Sequence, residues 1–182
     1  MESKAEKTKK LIVNSAIQFL LEHGFEKLTL EAVAKEAGVS KGGLLYHFPN
    51  KDALLQEIAE VIFNELQENF YQLVKADPNE EGKWTRAFIE SSRLDLVNLA
   101  EQNIGKLALS LLNREAGKNI SEVYRSVLVK LEDDGIDPIT STIIRLALDG
   151  IYYTELLNVA PVGKEIQDKV FQRLFQMTET EK

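Results

Sequence analysis

Apolar positions recur at three- and four-residue spacing along the chain, and no stretch alternates apolar and polar residues between turn signals. The pattern predicts an all-α protein. A first helix is expected from about Thr8 to His23, with Leu11, Ile12, Ala16, Phe19 and Leu20 on one stripe and Gly24 as its stop. Thr29 caps a second helix, Leu30 to Ala37, which Gly38 closes. Ser40 caps a third, Lys41 to about His47, and Pro49 ends it. Asn50 caps a long fourth helix whose stripe of Leu54, Leu55, Ile58, Val61, Ile62, Leu66 and Phe70 reaches about Val74.

The segment from Ala76 to Gly82 breaks the pattern with Pro78 and Gly82, and two or three helices are expected between Trp84 and Glu132, with breaks near 103–105 and 117–119. Asp137 followed by Pro138 marks a cap and a first helical position, so a strong helix starts there and runs to about Asn158. Pro161 to Gly163 separates it from a last helix near Glu165 to Met177, with Ile166, Val170, Phe171, Leu174 and Phe175 on its apolar face. The organisation expected is a three-helix head over residues 1–50 and a helical body over 51–182.

The net charge of -7 taken alone argues against a nucleic-acid partner, since lysine and arginine supply most of the affinity for phosphate. Its distribution changes that reading. Residues 1–51 hold eight lysines against six glutamates, a net of +2, while the rest holds 14 basic against 23 acidic residues, a net of -9. A basic head on an acidic body turns the head toward a polyanion and holds the body away. The absence of cysteine excludes disulfides and thiolate metal sites. No apolar stretch reaches the ~18 residues of a spanning helix, and the start of the chain is charged, so a cytoplasmic protein without a membrane partner is expected.

The segment from Leu30 to Phe48 has what a helix-turn-helix requires. Ala34 is small where two helices cross, Gly38 permits the sharp turn, and Val33, Ala37, Val39, Leu44 and Phe48 fill the wedge. Such a unit presents the N-terminal end of its second helix to the major groove of double-stranded DNA. Lys41 can reach a phosphate or a guanine edge, Gly42 and Gly43 let the backbone approach, and Tyr46 can donate to phosphate or pack on a thymine methyl. Ser40 starts that helix, while Thr29 and Lys51 stand at the starts of the flanking ones, where backbone amides favour phosphate. His47 is expected beside the DNA, and His23, at a helix end, is structural.

Gly24-Phe25, Thr29, Val33-Ala34, the run from Ala37 to Gly42, Leu44, Phe48 and the run from Lys51 to Leu54 together resemble the N-terminal signature of the TetR family of transcriptional regulators. The resemblance covers about residues 8–55. It implies an all-α homodimeric repressor with a ligand pocket in a divergent C-terminal body, pairing through its last two helices and released from a palindromic operator by a small-molecule effector. One position departs from the pattern: Leu45 stands where many members carry an aromatic, which shifts the expected phosphate contact to Tyr46 and His47. The run Asp149 to Tyr153 resembles the penultimate helix of a drug-sensing branch, with Asp149 or Glu155 as a counter-charge for a cation.

The residues themselves point toward pairing as well. The stretch from Ile139 to Val159 is apolar on nearly all sides, so one face can pack on the protomer and the other on a partner; the homodimer contact is expected at about 138–158 and 165–178. Trp84, Phe88, Tyr124, Tyr152 and Tyr153 can wall a pocket, with Arg93, Asn98, Asp149 and Glu155 as its polar groups. The alternatives are an acidic α-helical interaction module, or a small enzyme using Asp133, Asp134 and Asp137 as metal ligands. The module leaves the lysine-rich head unexplained, and the aspartates, too few and irregular for a calcium loop, are expected to form a solvated loop and a helix cap. No Gly-rich phosphate loop, paired-histidine zinc motif or serine elbow is present, so neither catalysis nor a metal or other cofactor is expected.

Overall fold

The computed structural model describes residues 3–97 and 117–179, all of whose regular elements are helical. The described residues up to Asn64 form one compact unit, and those from Glu65 to Val97 and from Lys118 onward form a second.

In the first unit, α1 spans Lys4–His23 and starts four residues earlier than its apolar stripe suggests. The cause is a capping box: the Ser3 hydroxyl accepts from the Glu6 amide at 3.1 Å, and the Glu6 carboxylate accepts from the Ser3 amide at 2.6 Å. The buried face of α1 is Ile12, Val13, Ala16 and Leu20; Leu11, expected on that stripe, is 49% exposed. Helix α1 packs on α2, and Val13 lies on its buried side. After Gly24 a 3-10 turn, Phe25–Lys27, leads to α2, Leu30–Glu36, where the Thr29 hydroxyl accepts from the Ala32 amide. Gly38 adopts φ +64°, a left-handed conformation that costs glycine little, and this turns the chain into α3, Lys41–His47. The Ser40 hydroxyl accepts from the Gly43 amide at 3.0 Å to start α3.

Helix α2 packs on both α1 and α3. Val33, Ala34, Ala37, Leu44 and Phe48 are buried, as the wedge between the helices requires, while Val39 is half-buried. The Asn50 side chain accepts from the Ala53 amide and opens α4, Lys51–Ala76. Leu54, Leu55, Ile58, Ala59 and Ile62 form its buried stripe in this unit, and Val61 is exposed.

In the second unit, α5 (Lys83–Val97) packs on α7 (Pro138–Leu156) and α8 (Lys164–Gln176), and α6 covers Gly117–Glu132. The break expected near 103–105 lies outside the described residues. One core cluster joins Ile89, Ile144, Leu148, Phe171 and Leu174. Phe171 and Leu174 are therefore spent inside the protomer instead of facing a partner, because α8 turns them toward α5 and α7. A second cluster joins Phe70, Val74 and Ala87, flanked by Leu73, Trp84, Phe88 and Val127.

The aspartate loop is a structural joint. The Asp134 carboxylate is buried, contrary to the expectation of a solvated loop, and accepts from the Trp84 and Thr85 amides at 3.2 and 2.7 Å. Its carbonyl accepts from the Gly82 amide, so a residue fifty positions away satisfies the start of α5. Asp137 caps α7 through the Thr140 amide at 2.8 Å. Among the described residues no group of three His, Asp or Glu is placed to hold a metal ion, and no helix is long and apolar enough to cross a membrane.

Candidate nucleic-acid interface

Helix α3 has a buried side and an exposed side, with Gly43 and His47 half-buried between them. Leu44 is fully buried and Phe48, at the C-cap, nearly so, while Lys41, Gly42, Leu45 and Tyr46 are exposed. Pairs at i, i+4 spacing produce this division: Leu44 and Phe48 anchor the helix, and Lys41 with Leu45 and Gly42 with Tyr46 form the outward surface. Tyr46 is 79% exposed, so its ring and hydroxyl are free of the core. Its ring meets His47 edge-on at 5.0 Å, and His47, half-buried, lies 6.5 Å from Phe48. A Cβ built on Gly42 meets nothing within 4 Å, so this stretch of backbone is open to close approach.

Thr29, Ser40 and Lys51 occupy different situations. Thr29 and Ser40 are exposed, but their hydroxyls already cap α2 and α3. The Lys51 ammonium rests 5.3 Å from the Phe25 ring centroid, which holds the first residue of α4 against the 3-10 turn. On α1, Lys9 reaches Glu57 at 2.6 Å and lies 5.8 Å from the Phe48 ring, so this lysine braces the fold and is not a free cation. Lys41 is also engaged: its Nζ lies 2.5 Å from Glu31 Oε1 on α2. Hydrogen bonding from Lys41 is the largest cause holding the Glu31 carboxyl below the usual carboxylate range. Sequence spacing gave no sign of Glu31, because the pair spans two helices and a turn.

The residues expected to line a ligand pocket separate into groups. Phe88 and Tyr124 approach with ring centroids 6.4 Å apart, and the Tyr124 hydroxyl donates to Asp149 Oδ1 at 2.6 Å. Burial, followed by that hydrogen bond to an anion, raises the Tyr124 hydroxyl above its ordinary value. Tyr152 and Tyr153 stand edge-to-face on the same helix as Asp149. Trp84 instead lies against Phe70 and Tyr71 at 6.0 and 5.7 Å, with Lys130 over its ring. Arg93 is bound through two hydrogen bonds to Glu90 on its own helix, and Glu155 accepts from the buried Gln167. Asn98 lies outside the described residues. The structure thus joins Phe88, Tyr124 and Asp149 and occupies Arg93 and Glu155 elsewhere. It adds Phe70 and Tyr71 as aromatic neighbours that sequence reasoning missed.

Comparison with known proteins bears on both units. Residues 12–58 match the family described as bacterial regulatory proteins, tetR family, and residues 82–179 match the tetracyclin repressor-like C-terminal domain. Over 58 residues the chain is 36% identical to the HTH-type transcriptional regulator UidR of Escherichia coli strain K12, a match that spans 32% of this chain and 30% of UidR. It is 27% identical over 144 residues to the fatty acid metabolism regulator protein of Bacillus subtilis strain 168, covering 76% of this chain and 71% of that protein. Among solved structures, the multidrug binding protein EbrR complexed with ethidium superposes with a TM-score of 0.64 at 26% identity, over 92% of this chain and 98% of that one. The helix-turn-helix between Thr29 and Phe48, the all-helical body and the family matches across both units give one conclusion: the chain belongs to the TetR family of transcriptional regulators.

Proposed function

We propose that the protein is a ligand-responsive repressor that binds a palindromic operator as a homodimer, with residues 1–50 as the DNA-binding head and 51–182 as the ligand-binding and dimerisation body. The observation that carries this reading is the division of α3 into a buried anchor face and an outward face bearing Lys41, Gly42 and Tyr46. On this reading Lys41 and Tyr46 touch DNA directly, Gly42 and Gly43 admit the backbone, and His47 stands beside Tyr46. Thr29, Ser40 and Lys51 frame the helix ends that meet phosphate.

Pairing is supported by a second feature. Along α7 and its C-cap, Ile139, Ile143, Leu146 and Leu157 share one face at heptad spacing, with Gly150 in the gap, and each is between 49% and 68% exposed. A Cβ on Gly150 would meet nothing within 4 Å, which leaves room for a second helix to approach. Exposed Ile166 on α8 adds to the patch. An apolar stripe of this length needs a cover, and a second copy of the same stripe is self-complementary about a two-fold axis. Two α3 helices set about one DNA turn apart, ~34–36 Å, then match two half-sites.

The effector on this reading is an aromatic cation, received by Phe88, Tyr124, Tyr152 and Tyr153 with Asp149 as the counter-charge. The likeness to EbrR, solved with ethidium and with malachite green, supports that class. Binding releases DNA only if the effector prefers the spacing that DNA does not. The protein works in the cytoplasm, beside its operator.

The test is selection of a duplex from a random-sequence pool, followed by anisotropy titration with wild type, Lys41→Ala and Tyr46→Ala. The expected result is a palindromic consensus and weaker binding by both folded variants. No enrichment at low salt would reject the reading.

A further inference from the structure

The first residue of the DNA-facing helix is not a free cation. Its ammonium is held by the Glu31 carboxylate at 2.5 Å, and each side chain is a little over 60% exposed. Both ends of the pair are placed by backbone elements rather than by chance encounter. Thr29 fixes the first turn of α2 and with it Glu31, Ser40 fixes the first turn of α3 and with it Lys41, and the two helices pack on each other. The first turn of α3 holds no acidic residue of its own, so the carboxylate facing Lys41 comes from the neighbouring helix.

Resting on the reading of α3 as the DNA-facing helix, we propose that Glu31 is a gate on Lys41: it occupies the ammonium in the free protein, and a DNA phosphate or base edge must displace it. An exposed pair is weak enough for a polyanion to break, yet it is a standing competitor for that polyanion. When Lys41 moves to a phosphate, the DNA sheds a counterion, but Glu31 is left bare beside a negative backbone and recruits a cation from solution. The net ion release credited to Lys41 is therefore largely cancelled. A guanine edge that takes Lys41 through N7 and O6 repays the displacement more fully than one phosphate does. The gate thereby suppresses sequence-independent binding more than operator binding.

The ionisation state needed is secure. The hydrogen bond from Lys41, then a backbone hydrogen bond at Glu31, hold the carboxyl below its ordinary value, so it stays charged at neutral pH.

The experiment compares wild type, Glu31→Gln, Lys41→Ala and the double variant on two probes. One is a duplex of about 30 base pairs selected by the wild-type protein, and the other is a random-sequence duplex of equal length. Affinity is followed by anisotropy from low to high salt, with Glu31→Ala as a second variant and helix content checked by circular dichroism. The expected result for Glu31→Gln is about three- to tenfold tighter binding to the random duplex and a smaller gain on the selected one. Its log–log salt dependence should be steeper by about 0.9, the value of one phosphate contact. The double variant should bind like Lys41→Ala. Binding by Glu31→Gln that is unchanged or weaker overturns the gate and makes Glu31 a support that orients Lys41. A gain that persists without Lys41 also overturns it, since simple charge repulsion would then suffice. If the wild type binds neither duplex, the DNA reading fails and the gate with it. If it binds and only Lys41→Ala has an effect, the gate alone fails.

Discussion

Leu146 lies at the middle of the exposed stripe on α7 and is 57% exposed in the protomer. Burying a whole leucine side chain contributes about 1.5–3 kcal/mol, so covering the exposed part contributes about 1–1.5 kcal/mol from each protomer. Two-fold symmetry doubles this to about 2–3 kcal/mol. Leu146→Glu forgoes that burial and sets two carboxylates near the axis with no partner for either, bringing the expected loss to about 3–5 kcal/mol. That corresponds to a dimer dissociation constant raised by about a hundredfold to a few thousandfold. Because Leu146 is absent from the protomer core around Ile144 and Leu148, helix content should be unchanged. Sedimentation velocity over a dilution series, with circular dichroism at each concentration, reads both quantities. A variant that dimerises as tightly as wild type, or a wild type that is monomeric throughout, would refute the stripe as the pairing surface.

Other outcomes follow from single contacts. Asp134→Ala leaves the Trp84 and Thr85 amides without their acceptor in a buried place and should lower unfolding stability by about 2–4 kcal/mol in urea melts. Ala160 holds φ +48° at the turn between α7 and α8, so Ala160→Gly should raise the urea midpoint by the equivalent of about 0.5–1 kcal/mol, and a loss would argue against a left-handed residue there. Asp77 is paired with Arg86 at 2.6 Å, and hydrogen bonding from Arg86 is the first cause depressing its folded-state carboxyl. Its contribution is complete above the unfolded carboxyl value of about 3.9 and fades as pH falls through the lower folded value, so the stability gap between wild type and Asp77→Asn should shrink steadily as pH drops below about 4. Asp149→Asn removes the proposed counter-charge and should weaken ethidium binding, followed by dye fluorescence, by about tenfold; equal affinity would place the cation elsewhere.

What could be read from the sequence was what depends on neighbours in the chain. Thr29, Ser40, Asn50 and Asp137 all cap the helices assigned to them, because a cap needs only an amide two or three residues away. Ser3 and Glu6 carry the same kind of signal, but they lie ahead of the apolar stripe that marks α1 in the sequence. What could not be read depends on packing across distance. Leu11 and Val13 are both apolar, and only tertiary packing decides that Val13 is the buried one. Asp134 meets α5 across fifty residues, and Glu31 finds Lys41 across a turn. The apolar residues of α8 did not reveal which face belongs to the protomer: Phe171 and Leu174 went inward, leaving Ile166 outside.

On the proposed function, two copies of α3 engage one palindrome through Lys41 and Tyr46. Hydroxyl-radical footprinting of the wild-type protein on its selected duplex tests it directly. Two symmetric protected patches are expected, centred about one helical turn apart, ~34–36 Å, both lost with Tyr46→Ala. A single protected patch, or two patches that survive that substitution, would contradict it.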